Sequence, residues 1–227
     1  MIYADAVRLT EILLGLSFVQ QSLEHLQAPR DERWLHVPRI VLALALVAGW
    51  QTTVAAWLLL ALGVLLLRRF DGPYNGGCDR MSLLVLSCLC VTRVAPTPLL
   101  QEASFAYLAV QLVLSYFMSG WVKVVNPAWR SGVALADVFA WSAYPVAESL
   151  RGWAQSKRLL FAMGWAVMLL ELAFPLALLE PTLLAAALVL TASFHAANAC
   201  LFGLNRFLWV WLSAYPALWW FQGRVFG

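Results

Sequence analysis

Long apolar runs follow one another from end to end of this chain, near residues 6–27, 37–50, 52–69, 81–94, 103–125, 157–179, 182–204 and 206–222, with only short polar stretches between them. A water-soluble domain wets one face of each surface helix, so it cannot be built from segments that are apolar all round. With 63% hydrophobic residues, 12% charged and a mean hydropathy of +0.77, the chain reads as a polytopic membrane protein: an all-α helical bundle of about eight membrane segments plus interfacial helices. A single domain over residues 1–227 is expected, because the connections are too short to fold by themselves. Gly49-Trp-Gln-Thr-Thr53 alone separates the second and third runs, which together exceed one span of ~20 residues and predict a tight helical hairpin. The fourth run is short enough to be re-entrant. No basic region and cleavage site accompany the first run, so no signal peptide is expected.

Residues 129–156 mix Trp129, Val133, Leu135, Val138, Phe139, Trp141 and Trp153 with Arg130, Asp137, Glu148 and Arg151, broken by Pro145 and Gly152. This reads as interfacial helices lying on the bilayer. Trp209, Trp211, Trp219 and Trp220 fit an aromatic belt. In an eight-segment arrangement one side carries Arg30, Arg33, Arg39, Arg68, Arg69, Arg80, Lys123, Arg130, Arg151, Lys157, Arg158 and Arg206, and the other Arg8, Arg93 and Arg224. The positive-inside rule then puts the first side in the cytoplasm and both termini outside.

Polar residues inside the runs are the candidate chemistry. Lys123 ends the segment Gln111–Val125, where an ammonium must snorkel, pair, or lose its proton and become a base. Tyr107, Gln111, Ser115 and Ser119 lead toward it at a spacing of four. The first run carries Ser17, Gln20, Gln21, Glu24 and His25 on one face; the sixth holds Glu171, and the seventh Thr191, His195 and Asn198. Asn198, one turn after His195, is placed to fix its tautomer. Such stripes enclose a polar pocket or conduit, or hold helices together at roughly 0.6 kcal/mol each. The polar loop Asp71-Gly-Pro-Tyr-Asn75-Gly-Gly-Cys-Asp79-Arg80 is either a set of turns or the mouth of that pocket, lined by Asn75 and Asp79. Cys78, Cys88, Cys90 and Cys200 form no Cys-x-x-Cys pair and read as buried small residues, with a redox role for Cys78 beside Arg80 as the alternative. Phosphate-loop, zinc-protease and serine-hydrolase motifs are absent, so no metal is expected, and no basic cluster points to nucleic acid.

Three pieces in order, Asn75-Gly-Gly-Cys-Asp79-Arg80, Tyr116-Phe-Met-Ser-Gly120-Trp-Val-Lys123 with Asn126-Pro-Ala-Trp129-Arg-Ser-Gly132, and Phe194-His195-Ala-Ala-Asn198-Ala-Cys-Leu201-Phe202, resemble the HTTM (horizontally transferred transmembrane) domain. This is the membrane domain of vitamin K-dependent gamma-carboxylases and their bacterial relatives. The resemblance covers nearly the whole chain. It implies Lys123 as the base toward a reduced quinone, with oxygen and carbon dioxide as cosubstrates, and carboxylating or oxidative modification of a peptide or small substrate. By the same implication His195 joins the chemistry. Asn75, Asp79, Tyr116, Trp129 and Asn198 face the cofactor, and Glu171 is a proton partner. A carboxylate held against the ammonium favours the charged lysine, so a base role requires that Lys123 and Glu171 not be close partners.

The chain departs from the carboxylase where an Asn-His pair is replaced by the Asn75-Gly-Gly loop, and the large lumenal substrate-recruiting region has no counterpart here. In size it is similar to small stand-alone members of the sporulation-delaying protein B type, which assist maturation of a secreted peptide toxin. The rival readings are a non-catalytic accessory protein bound to a partner membrane protein, a transporter, and a quinone-linked redox protein of DoxX type.

Overall fold

The computed structural model describes residues 1–27, 33–69, 76–142 and 144–227 and is helical throughout, with no strand among those residues. In chain order the helices are α1 (Tyr3–Gln27), α2 (Arg33–Ala48), α3 (Thr52–Arg69), α4 (Gly76–Val94), α5 (Pro98–Val125) and α6 (Pro127–Arg130). They continue as α7 (Val133–Trp141), α8 (Pro145–Ser149), α9 (Lys157–Ala173), α10 (Pro181–Phe202) and α11 (Asn205–Val225). Short 3-10 turns cover Arg151–Gln155 and Phe174–Leu179.

Every apolar run falls on a helix, and three segments, Pro98–Val125, Lys157–Leu179 and Pro181–Phe202, are long and apolar enough to cross a membrane. The expected eight crossings are therefore met by length and composition at three. The 16 residues of α2 reach about 24 Å, short of the ~30 Å hydrocarbon core. Asp5, Arg8 and Glu11 dilute α1, and Asp79, Arg80 and Arg93 dilute α4. Leu183, Val189 and Leu190 of α10 are 53%, 66% and 55% exposed, an apolar outer face that suits lipid and not water.

Helix boundaries follow local chemistry. The Thr97 hydroxyl accepts the Leu100 N–H at 3.3 Å and Pro98 takes the first helical position, so α5 starts well before residue 103. Pro175 has no N–H to donate, and α9 gives way to a 3-10 turn there. The Glu180 carboxylate accepts the Leu183 N–H at 3.0 Å to open α10. Gly203 closes it at φ 71°, where a side chain would be strained and its Cβ would stand 2.7 Å from the Tyr144 ring. The predicted hairpin between α2 and α3 turns through Gly49 and Gln51.

Two expectations change. The loop over 71–80 is helical from Gly76 onward, with Asp79 in the first turn of α4, where an acid complements the helix dipole; Cys78 is fully buried there. Asn75 and Arg30 lie outside the described residues. Cys88 and Cys90 are buried as expected, whereas Cys200 is exposed, because it falls on the outer side of α10, five residues beyond buried His195.

The chain forms two compact units, Met1–Val110 with Trp209–Val225, and Gln111–Leu208. In the first, Leu14, Phe18, Leu35, Leu46, Leu59 and Leu86 are fully buried, and Tyr3, Phe105 and Trp220 pack ring against ring at 5.2 to 5.7 Å. In the second, the stretch read as interfacial consists of the short helices α6 to α8 and the 3-10 turn Arg151–Gln155. Phe139 is buried there between the rings of Trp153 (5.7 Å) and Phe202 (5.1 Å), while Trp141 is 83% exposed.

Candidate functional site

The second unit contains a buried polar group on three elements. Tyr116, Ser119 and Lys123 stand at i, i+3 and i+7 on α5 and share one face. On the same face, Gly120 lets α5 press against α9: a Cβ at this glycine would lie 2.9 Å from the Leu172 nitrogen and 3.0 Å from Glu171 Cβ. That close approach brings Glu171 to Lys123. The Lys123 Nζ donates to Glu171 Oε1 at 2.7 Å, to Oε2 at 2.6 Å and to Ser119 Oγ at 2.7 Å; Ser119 in turn donates to Glu171 Oε1 at 3.0 Å. Three ammonium hydrogens meet three acceptors. The Glu171 side chain is 4% exposed and that of Lys123 16%, so the lysine is the more open member of the pair.

Two turns back along α5, Tyr116 Oη lies 3.1 Å from His195 Nε2 on α10, both residues being buried. The Tyr116 ring also packs on Phe174 at 4.3 Å, three residues after Glu171, so the two polar pairs share one apolar wall. The Thr191 hydroxyl is turned back to the Ala187 carbonyl at 2.8 Å.

The Asn126-Pro-Ala-Trp129 motif has a structural purpose. Asn126 Oδ1 accepts the Ala128 N–H at 2.9 Å and Pro127 takes the first position of α6, while Arg130 donates to the Val124 carbonyl (3.1 Å) at the end of α5. Trp165 on α9 donates to the Arg130 carbonyl at 3.2 Å. The turn so fixed holds the Trp129 ring 5.6 Å from the Lys123 Nζ, within cation–π range.

Of the residues expected to act, Lys123, Glu171, Tyr116, His195 and Trp129 fall in this unit with the contacts just described. Lys123 and Glu171 are direct partners, so the separation that a free-lysine base requires is not met. The nitrogen Nε2 of His195 faces Tyr116; Asn198 is half-buried one turn along α10. Asp79 belongs to the first unit, and Asn75 is not among the described residues. The stripe drawn from Tyr107 through Ser119 does not hold as one face. Each step of four advances about 40° beyond a full turn, so Tyr107 sits about 120° from Ser119 and is 52% exposed. Ser115 bonds to the Leu112 carbonyl at 3.0 Å. Tyr116 lay between the members of that stripe.

The first unit holds polar groups of another kind. Glu11, 1% exposed, accepts from Arg8 at 3.1 Å and from Arg93 Nε at 2.8 Å. Arg8 also donates to the Leu46 and Val47 carbonyls at the end of α2. Buried Arg39 donates to Gln21 at 3.1 Å and lies over the Phe18 ring, while Glu24 accepts from Gln20 at 2.5 Å. His25 bonds to the Gln21 carbonyl at 3.0 Å, with its ring 4.4 Å from that of His36. Sequence reasoning had no place for Glu11. Its signal was Arg8 three residues before it, counted as a flanking charge. Arg39, Arg8 and Arg93 are thus engaged inside the bundle and are not free loop charges.

A family model described as the HTTM domain matches residues 95–221. That range contains the whole Lys123 group and begins after the Asn75-to-Arg80 piece. No curated protein and no solved structure matches. More than half of the chain is covered, and the chain therefore belongs to the HTTM domain family, a membrane domain of the carboxylase-like kind.

Proposed function

We propose that this chain is a multi-pass enzyme of a bacterial inner membrane, acting as one domain that carries out acid–base chemistry in the modification of a peptide or small substrate. The observation that carries the reading is the Lys123–Glu171 ion pair on the family-matched helices, 2.6 Å long and largely shielded from water. An ion pair withdrawn from water is expensive to keep and weak as a source of stability, which favours a working role.

The residues also suit a reduced quinone. An ammonium, a phenol and an imidazole near aromatic rings can receive a hydroxylated ring, with Lys123, Tyr116, His195 and Trp129 as the groups that would hold it. Such a group supplies, together with oxygen, a base stronger than any side chain, and carbon dioxide is the further cosubstrate. The Lys123 ammonium would stabilise negative charge on a group placed beside its Nζ. Ser119 orients the pair, Tyr116 and His195 can pass a proton between Oη and Nε2, and the apolar shell keeps water out.

The test is mass spectrometry of a candidate peptide coexpressed with wild type or with Lys123→Ala at matched membrane levels. A mass gain of one carbon dioxide, or of oxygen, in wild type alone is the expected result. An unmodified peptide in both, with the partner phenotype intact in the variant, would instead support a second reading that the fully satisfied ion pair favours: a non-catalytic accessory to a partner membrane protein.

A further inference from the structure

We infer that Glu171, and not Lys123, is the proton acceptor of this site, and that the site takes a neutral, weakly acidic hydroxyl compound by exchanging it for the carboxylate on Lys123. The inference rests on the acid–base reading above and gives it a substrate class. A lysine has three hydrogens to donate, and here all three meet acceptors at 2.6 to 2.7 Å, two of them on one carboxylate. No amine lone pair is offered, and no ammonium hydrogen is spare for an arriving anion. The pair is neutral as a unit, so it exerts little pull on a charged ligand and would repel none that is neutral.

A ligand R–OH can enter such a site without leaving a charge stranded. The O–H proton moves to a Glu171 oxygen, the Glu171–Lys123 contact opens, and the R–O⁻ oxygen takes the vacated ammonium hydrogens. Before and after, there is one cation and one anion in contact, and no electron has moved. An anion entering by itself would leave two negative groups competing for one ammonium, which burial makes costly. Ser119 supports the exchange from either side, because its hydroxyl accepts from Lys123 at 2.7 Å and donates to Glu171 at 3.0 Å. The difference in exposure sets the direction: Lys123 is reachable and Glu171 lies behind it. Among the described residues, the titratable groups with contacts elsewhere in this site are Tyr116 on the same helix and His195 on α10, which bond to each other.

The experiment uses the full chain in detergent and a series of nitrophenols of graded acidity, whose phenolates absorb visible light. Wild type is expected to bind the neutral phenol, show the phenolate band, and release no proton to the medium, so that calorimetric heats are the same in buffers of different ionisation enthalpy. Its affinity stays flat below the probe's own ionisation and falls above it. Glu171→Gln leaves the ammonium unpaired, binds preformed phenolate, and loses affinity about tenfold per pH unit below that ionisation, the slope of one linked proton. Release of a proton by wild type, a shared pH profile for the two proteins, or no binding of any probe by wild type would each overturn the inference. The wild-type calorimetry needs no variant to fold. Intact exchange with no change in peptide mass would sink the enzyme reading and leave the exchange standing.

Discussion

Two buried carboxylates in this protein are held in opposite ways. Glu11, in the first unit, is bracketed by Arg8 and Arg93, which fix the carboxylate from two helices while Arg8 also closes the end of α2. Glu171, in the second, faces a single lysine directly, with one serine bonded to both. Arginine makes a fastening. Lysine makes a contact that can trade partners, because its charge sits on one small group with freely rotating donors. The same acid residue is architecture in one place and a candidate reagent in the other, and the cation decides which.

Removing the first carboxylate should have the largest effect. Glu11→Leu leaves two arginines without their buried partner and should cost about 3 kcal/mol, read as a lower unfolding temperature in detergent, with any peptide modification per folded molecule unchanged. Equal loss of modification in this variant would erase the contrast. Next comes the spacing of the second site. Gly120→Ala puts a methyl group against the α9 backbone and should cost about 1 to 3 kcal/mol, with a fall in activity larger than the folded fraction explains.

Lys123→Arg asks whether the cation alone makes the difference. Stability should stay within about 1 kcal/mol while peptide modification and phenol exchange are lost, converting the second site into a copy of the first. Unimpaired modification would mean that the lysine is not special.

The smallest effect concerns a third carboxylate, Glu180, fully exposed at the start of α10. The Thr182 hydroxyl and the Leu183 and Thr182 N–H groups hold its carboxyl below the usual range. A lowered native value means that its support is present above the ordinary carboxylate range and fades as pH falls through the lowered one. Amide exchange at Leu183 should quicken over that acid interval in wild type and be pH-independent, after correction for intrinsic rates, in Glu180→Ala.

Helix positions were legible because apolar runs bounded by Pro and Gly leave little else to form, as Pro98, Pro175 and Gly203 illustrate. The family was legible from Tyr116 to Gly132, much of which turns out to be capping and close packing. Pairing was not legible. Lys123 and Glu171 are 48 positions apart, and no periodicity within one helix says which face another helix will present. A spacing of four misled on α5 because it drifts around the helix, while Gly120, the residue that admits α9, carries no polar label. Glu11 was missed because burying it needed Arg93, a residue 82 positions away.

Gly120 has a consequence for how the site can vary. Its single hydrogen sets the clearance between two backbones, which a methyl group would overrun at 2.9 Å from the Leu172 nitrogen, and the reach of Lys123 to Glu171 spans that crossing. The tolerance of the chemistry is therefore written in a residue that takes no part in it, and a redesign that kept every polar group but thickened this one crossing would build the right parts at the wrong distance.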